Sequence, residues 1–213
     1  MLEVEHQISA VRRVVGTRTL EAGEARVQKI SQAYDTDIDD LWDAVTNPER
    51  IPRWFLPITG ELTEGGRYQL EGNAGGTITR CHKPHGYAAT WEWEDNVSWI
   101  EVRLSPQGDR RSRFELEHVA HVDQEFWDRF GPTATGIGWE MGLFGLASHL
   151  AAPDAPLDPQ AVQAWLQTDE GKALLRGSAN AWIEAYIATG ADPETAHGMG
   201  ERVRLPHGRP ALQ

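Results

Sequence analysis

Two runs rich in Val, Ile and Thr, Ile8–Leu20 and Ala25–Tyr34, open the chain and are separated by Glu21-Ala-Gly-Glu24. Branched side chains sit well on a pleated surface and a Gly-containing break lets the chain reverse, so this pattern predicts a long hairpin. The period then changes. Ile38, Leu41, Trp42 and Val45 fall at the i, i+3, i+4, i+7 positions of one helical face, with Thr36 three residues before Asp39 as a capping-box-like start and Asn47-Pro48 as the stop. Beyond Arg53-Trp54-Phe55, short runs at about 66–72, 76–83, 87–94, 97–105 and 110–120, punctuated by Gly, Asn and Pro, predict an antiparallel meander.

Thr133–Leu150 is long, almost uncharged and apolar on more than one side, which predicts a helix buried along most of its length. Gly136, Gly138, Gly142 and Gly145 each lower helix propensity by about 1 kcal/mol relative to Ala, so packing has to compensate; they also let the backbone lie close against a curved sheet. The run Ala151–Pro159, rich in Pro, Ala and Asp, marks the end of that unit. Pro159–Leu166 then reads as a short helix, and Thr168 caps a longer one with Leu175, Ala179, Trp182 and Tyr186 as its stripe and Gly190 beyond its end. Asp192-Pro193-Glu194 opens a last short helix.

Composition narrows the function classes. The formal net charge is -12, and the middle of the chain, residues 31–150, carries 20 acidic against 10 basic groups. Such a balance argues against nucleic-acid binding, which relies on clustered Lys and Arg. No stretch approaches the roughly 20 apolar residues needed to span a bilayer, and the N-terminal order lacks the charged-then-apolar arrangement of a signal peptide, so a cytoplasmic protein with no membrane insertion is expected. Cys81 is the single cysteine and has no Cys partner for a disulfide or a zinc site.

Element order and particular strings carry a resemblance. Asp40-Leu-Trp-Asp-Ala-Val-Thr-Asn-Pro-Glu49, Arg53-Trp-Phe55, Gly65-Gly-Arg-Tyr68, Tyr87-Ala-Ala-Thr-Trp-Glu-Trp93 and Arg113-Phe-Glu-Leu-Glu-His118 resemble the START-like (SRPBCC) superfamily, in the branch named after the C-terminal domain of the activator of heat-shock-protein-90 ATPase. The resemblance covers about residues 24–150. It implies an α+β helix-grip fold, a curved antiparallel sheet wrapped around a long C-terminal helix with a cavity between them. Around it stand an N-terminal hairpin extension and an extra C-terminal helical extension. The division expected is 1–150 as the helix-grip domain and 151–213 as a helical extension packed on it, covering the cavity mouth or a dimer surface. Members of the superfamily bind lipids, hormones or polyketides, or catalyse aromatisation or cyclisation, so the fold alone does not settle function.

Nine Trp against five Phe and four Tyr is an unusual aromatic balance. Trp91 and Trp93 share one face of a strand, and Trp54-Phe55 sits between the first helix and the sheet. An indole offers apolar area and one N–H donor, which suits a pocket for an amphipathic ligand; ordinary core packing is the competing reading. The ligand-binding candidates are Trp54, Phe55, Trp91, Trp93, Phe114, His118, Glu140, Met141 and Phe144. Alternation puts His118 on the inward face with Phe114 and Leu116, as a ligand hydrogen-bonder, a proton-transfer group or a core histidine satisfied by backbone. Glu140 is the only acid in 133–148 and either reaches a pocket or breaks out to solvent; Arg80 is one partner for it that the sequence offers.

Metal and cofactor chemistry find little support. The pairs His82/His85 and His118/His121 have a helical spacing but fall at strand ends, and no cluster completes four ligands. Gly136-Ile-Gly-Trp-Glu-Met-Gly142 lacks the preceding strand of a dinucleotide site. No cofactor and no metal are therefore expected, and no catalytic string is present. The reading that follows is binding of an apolar or aromatic small molecule, leaning away from an enzyme. Its alternatives are a polyketide cyclase or aromatase-like enzyme using His118 and Glu140, and a chaperone cofactor or regulatory partner. A homodimer through the extensions is a further expectation.

Overall fold

A computed structural model describes residues 3–155 and 158–202, so Pro156 and Leu157 of the predicted break lie outside the described residues. The chain begins with a short helix, α1 (Val4–Ala10), and only then enters β1 (Arg12–Leu20) and β2 (Gly23–Tyr34). The predicted hairpin is present, but Ile8–Ala10 is helical: Ile8 packs against α6 (Asp169–Ile187) so closely that a Cβ on Gly177 would stand 2.2 Å from Ile8 Cδ1. That contact joins residues far apart in sequence, so a local pattern does not reveal it.

Next comes α2 (Ile38–Thr46). Its N-cap is Asp37, whose carboxylate accepts from the Asp40 N–H, while the Thr36 hydroxyl donates to the Asp40 side chain. A 3₁₀ turn over Ile51–Arg53 leads to Trp54 and Phe55. Six strands follow: β3 (Ile58–Gly60), β4 (Arg67–Leu70), β5 (Gly75–His82), β6 (Gly86–Trp93), β7 (Asn96–Pro106) and β8 (Ser112–Ala120). β3 is too short to leave a periodic signature. The eight strands form one curved antiparallel sheet in the order β1-β2-β8-β7-β6-β5-β4-β3. After it stand α3 (Gln124–Phe130), α4 (Thr133–Ala151), α5 (Pro159–Leu166), α6 and α7 (Pro193–Arg202). Caps at Thr168 and Asp192 are where the sequence places them, and Asp158 caps α5 through the Gln160 and Ala161 amides.

The described residues fall into two compact units. One comprises those of Met1–Ile30, His121–Met141 and Asp158–Gln213, the other those of Ser31–Ala120 and Gly142–Leu157, so the division runs through β2 and α4. In the first unit α6 is the hub. Leu174, Trp182 and Ile183 are fully buried, with Gly171, Ser178 and Ala179 beside them, so the buried stripe is centred next to the predicted Leu175 and Tyr186, which are half-buried. The Trp182 indole lies flat on α4 at Gly136, where a Cβ would come within 2.5 Å of the ring. A buried ion pair fastens β1 to α4: Arg13 Nε donates to Glu140 Oε2 at 2.8 Å and its Nη2 to Glu140 Oε1, while Nη1 donates to the carbonyls of Ile8 and Val11.

In the second unit the last part of α4 is joined to β2 and to the turn after α2. Tyr34 at the end of β2 donates to the Leu143 carbonyl at 3.3 Å. Gly145 meets the Trp54 carbonyl so closely that a Cβ would stand 2.2 Å from its oxygen, a close approach to the turn after α2 where the glycine-rich sequence suggests one to the sheet.

Candidate ligand site on the core face of the sheet

Cross-strand register fixes which side chains share a face. Leu104, Val102 and Ile100 of β7 stand opposite Phe114, Leu116 and His118 of β8. On the other side Val102, Ile100, Ser98 and Asn96 stand opposite Tyr87, Ala89, Trp91 and Trp93 of β6. These residues therefore line one face, and most of the aliphatic ones are buried. α2 packs against this face, with the Trp42 ring edge-on to Tyr87 at a centroid distance of 6.5 Å. Toward the other end stand Trp91 and Trp93, both only half-buried, with Ser98 and His118.

The polar centre is a short hydrogen-bond chain across three strands. Ser98 Oγ donates to the Trp91 carbonyl at 3.0 Å, so toward His118 it acts as the acceptor. The 2.9 Å contact between His118 Nε2 and Ser98 Oγ then places the ring proton on Nε2 and the lone pair on Nδ1. His118 is 8% exposed, and burial pushes its pKa down to about 4, so the ring is neutral at physiological pH. A neutral imidazole on the same face as two indoles makes that face both apolar and hydrogen-bonding.

The wall contributed by the turn after α2 is built separately. Trp54 Nε1 donates to the Ala44 carbonyl at 2.9 Å, which ties the indole to α2. Its ring lies 5.4 Å from that of Phe55, and Phe55 in turn packs on α4 at Gly142. Trp54, Phe55 and Phe144 are half-buried and Phe114 is buried. Of the residues proposed from sequence, Trp54, Phe55, Trp91, Trp93, Phe114, His118 and Phe144 thus belong to the second unit, whereas Glu140 and Met141 belong to the first.

Glu140 is 1% exposed, and both its oxygens are engaged by the Arg13 guanidinium. Arg80 has a different partner, Glu101, on the opposite face of the sheet. It reaches across β6 there because Ala88 is the residue between them in the row.

Three residues that matter here were not singled out by sequence reasoning. Ser98 sets the His118 tautomer, Arg13 takes up Glu140, and His149, buried at the end of α4, accepts from Arg50 Nε at 3.3 Å. His149 had a readable signal, as the only basic residue in an otherwise nearly uncharged helix.

Among the described residues no group of three His, Cys, Asp or Glu can hold a metal ion. No described helix is long and apolar enough to cross a membrane.

A curved antiparallel sheet with a long C-terminal helix is the helix-grip fold of the START-like proteins. Within that class, the chain belongs to the family described as Activator of Hsp90 ATPase homolog 1-like protein, which matches residues 35–151. It is similar to CalU16 from Micromonospora echinospora. The crystal structure of that protein is 35% identical over 83% of this chain and 98% of its own, with a TM-score of 0.65. Its solution structure is 36% identical over 85% and 97%, with a TM-score of 0.67. Because the family match takes in little more than half the chain, the likeness to CalU16 includes residues outside 35–151. The structure of DynU16, a protein of the dynemicin biosynthetic locus, shares the fold at 15% identity over 59% of this chain and 47% of its own, with a TM-score of 0.51. No curated protein matches the chain.

Proposed function

We propose that this protein binds an apolar or aromatic small molecule, held between the core face of the sheet and the second half of α4. The observation that carries this reading is the pair of half-buried indoles, Trp91 and Trp93, on the same face as the neutral His118–Ser98 pair. Full burial would make such rings ordinary core; partial exposure on a face otherwise devoted to packing leaves contact area for a ligand. His118 and Ser98 supply the polar group that orients it. Trp54, Phe55, Phe114 and Phe144 would complete the apolar lining.

The chemistry of the polar groups favours binding over the cyclase or aromatase reading. Ser98 gives its own proton to a backbone carbonyl, so His118 does not prime it as a nucleophile. Glu140 has both oxygens engaged by Arg13. The test is a titration with the neutral apolar fluorophore N-phenyl-1-naphthylamine. Saturable binding that weakens at least tenfold in Trp91→Ala or Trp93→Ala supports the reading. Absence of saturable binding, or binding indifferent to both substitutions, overturns it.

A further inference from the structure

Arg50 stands at the junction of three elements. Its Nη1 donates to the Asp40 carbonyl, to Asp40 Oδ1 at 2.7 Å and to Asp43 Oδ2 at 3.0 Å, all on α2. Its Nε donates instead to His149 Nε2 in the last turn of α4. The Trp54 indole is tied to α2 through the Ala44 carbonyl. α2, Arg50 and the Trp54–Phe55 turn are thus bonded to one another. The Arg50–His149 hydrogen bond joins the end of α4 to them, beside the packing of Gly142 and Gly145 on Phe55 and on the Trp54 carbonyl.

Arg50 has no acceptor capacity, so His149 must present the lone pair of a neutral ring at Nε2. A proton there removes the acceptor and sets two N–H groups, both cationic, 3.3 Å apart. We infer that the Arg50–His149 contact is an acid-released latch, which holds α4 on the Trp54–Phe55 turn at neutral pH and lets that wall of the ligand site open when His149 is protonated. The consequence for ligand release rests on the function proposed above; the opening itself does not.

The groups facing His149 are Arg50 and Arg53 from the turn and Asp40 from α2, with Asp43 reached through Arg50. Burial, then the two guanidinium groups, lower its pKa against the opposing pull of Asp40. The direction is the one a latch needs. A group whose pKa is lower when latched than when released takes up its proton preferentially in the released form. Opening therefore grows as pH falls below the ordinary histidine value of about 6.5. Asp40 has a lowered pKa and stays charged through that window, so Arg50 remains with α2 while α4 is let go.

The experiment is residue-resolved hydrogen exchange at pH 7 and pH 5, corrected for the intrinsic pH dependence of exchange. The readout is the Trp54 and Phe55 amides, which both bond to the Ile51 carbonyl, and the amides of the last turn of α4. The latch predicts at least a tenfold loss of protection at these sites on acidification in the wild-type protein, and none in His149→Gln, where an uncharged amide keeps an acceptor for Arg50. It also predicts that the pH midpoint of the loss coincides with the titration of the His149 ring followed by NMR in the wild type, a comparison that needs no variant. Unchanged protection at pH 5, an equal loss in His149→Gln, or a midpoint away from the His149 titration would overturn it. Release of N-phenyl-1-naphthylamine over the same pH range extends the result to the ligand site. If the amides open as predicted while the fluorophore binds at no pH, the latch stands and the binding function falls.

Discussion

His118 makes folding of this protein sensitive to acid in a way that can be calculated. The ring is buried and its pKa is pushed down to about 4, whereas in the unfolded chain it has the ordinary value of about 6.5. Between those two pH values the unfolded state binds the proton and the native state does not, so stability falls as pH is lowered through that window and is intact above it. The full effect is about 3 kcal/mol, and about 2.5 kcal/mol of it is already lost at pH 4.5. The perturbation that isolates it is His118→Gln, whose terminal amide can donate to Ser98 Oγ but does not titrate. Urea unfolding of both proteins at pH 7 and pH 4.5 gives the assay, because the acid sensitivity of His149 and of the carboxylates is common to both. Whatever the substitution costs at pH 7, the gap between the two proteins must shift by about 2.5 kcal/mol in favour of the variant at pH 4.5. Parallel stability curves would refute the argument, since they would mean that His118 carries its proton in the native state or is hydrated there.

Glu140→Gln leaves the Arg13 guanidinium buried without its counter-charge and is expected to lower stability by about 3–5 kcal/mol in urea unfolding, with Arg13→Met/Glu140→Leu recovering most of that loss. A single-substitution cost below about 1 kcal/mol would show that the pair is solvated. Gly136→Ala gains about 1 kcal/mol of helix propensity but drives a methyl group into the immobile Trp182 ring; overpacking of about 1–3 kcal/mol makes the net result destabilising, seen as a lower melting temperature. Asp37→Ala removes the α2 cap and should cost about 1 kcal/mol by the same measurement, whereas Thr36→Ala leaves that cap bond in place.

Much of the fold was legible because its signals are local. The caps at Thr168 and Asp192, the period of α2, and the alternation in β6, β7 and β8 each lie within a dozen residues and are obeyed. α1 was not legible, since its buried residue is the polar Gln7 and its anchor is Gly177 on a helix far along the chain. α3 spans only seven residues, although Asp123 does cap it. The site divides in the same way. The inward face of His118 and the shared face of Trp91 and Trp93 follow from alternation, and the structure keeps both. Arg13 as the partner of Glu140, 127 positions away, and Arg50 as the partner of His149, 99 positions away, are properties of chain topology that no spacing rule encodes.

The central claim is that the face carrying Trp91, Trp93 and His118 holds an apolar small molecule, and native mass spectrometry of the freshly purified protein addresses it most directly. The account predicts a reproducible extra mass that disappears on denaturation, or one that forms on incubation with excess N-phenyl-1-naphthylamine and is lost in Trp91→Ala. A clean unliganded mass under both conditions would contradict it.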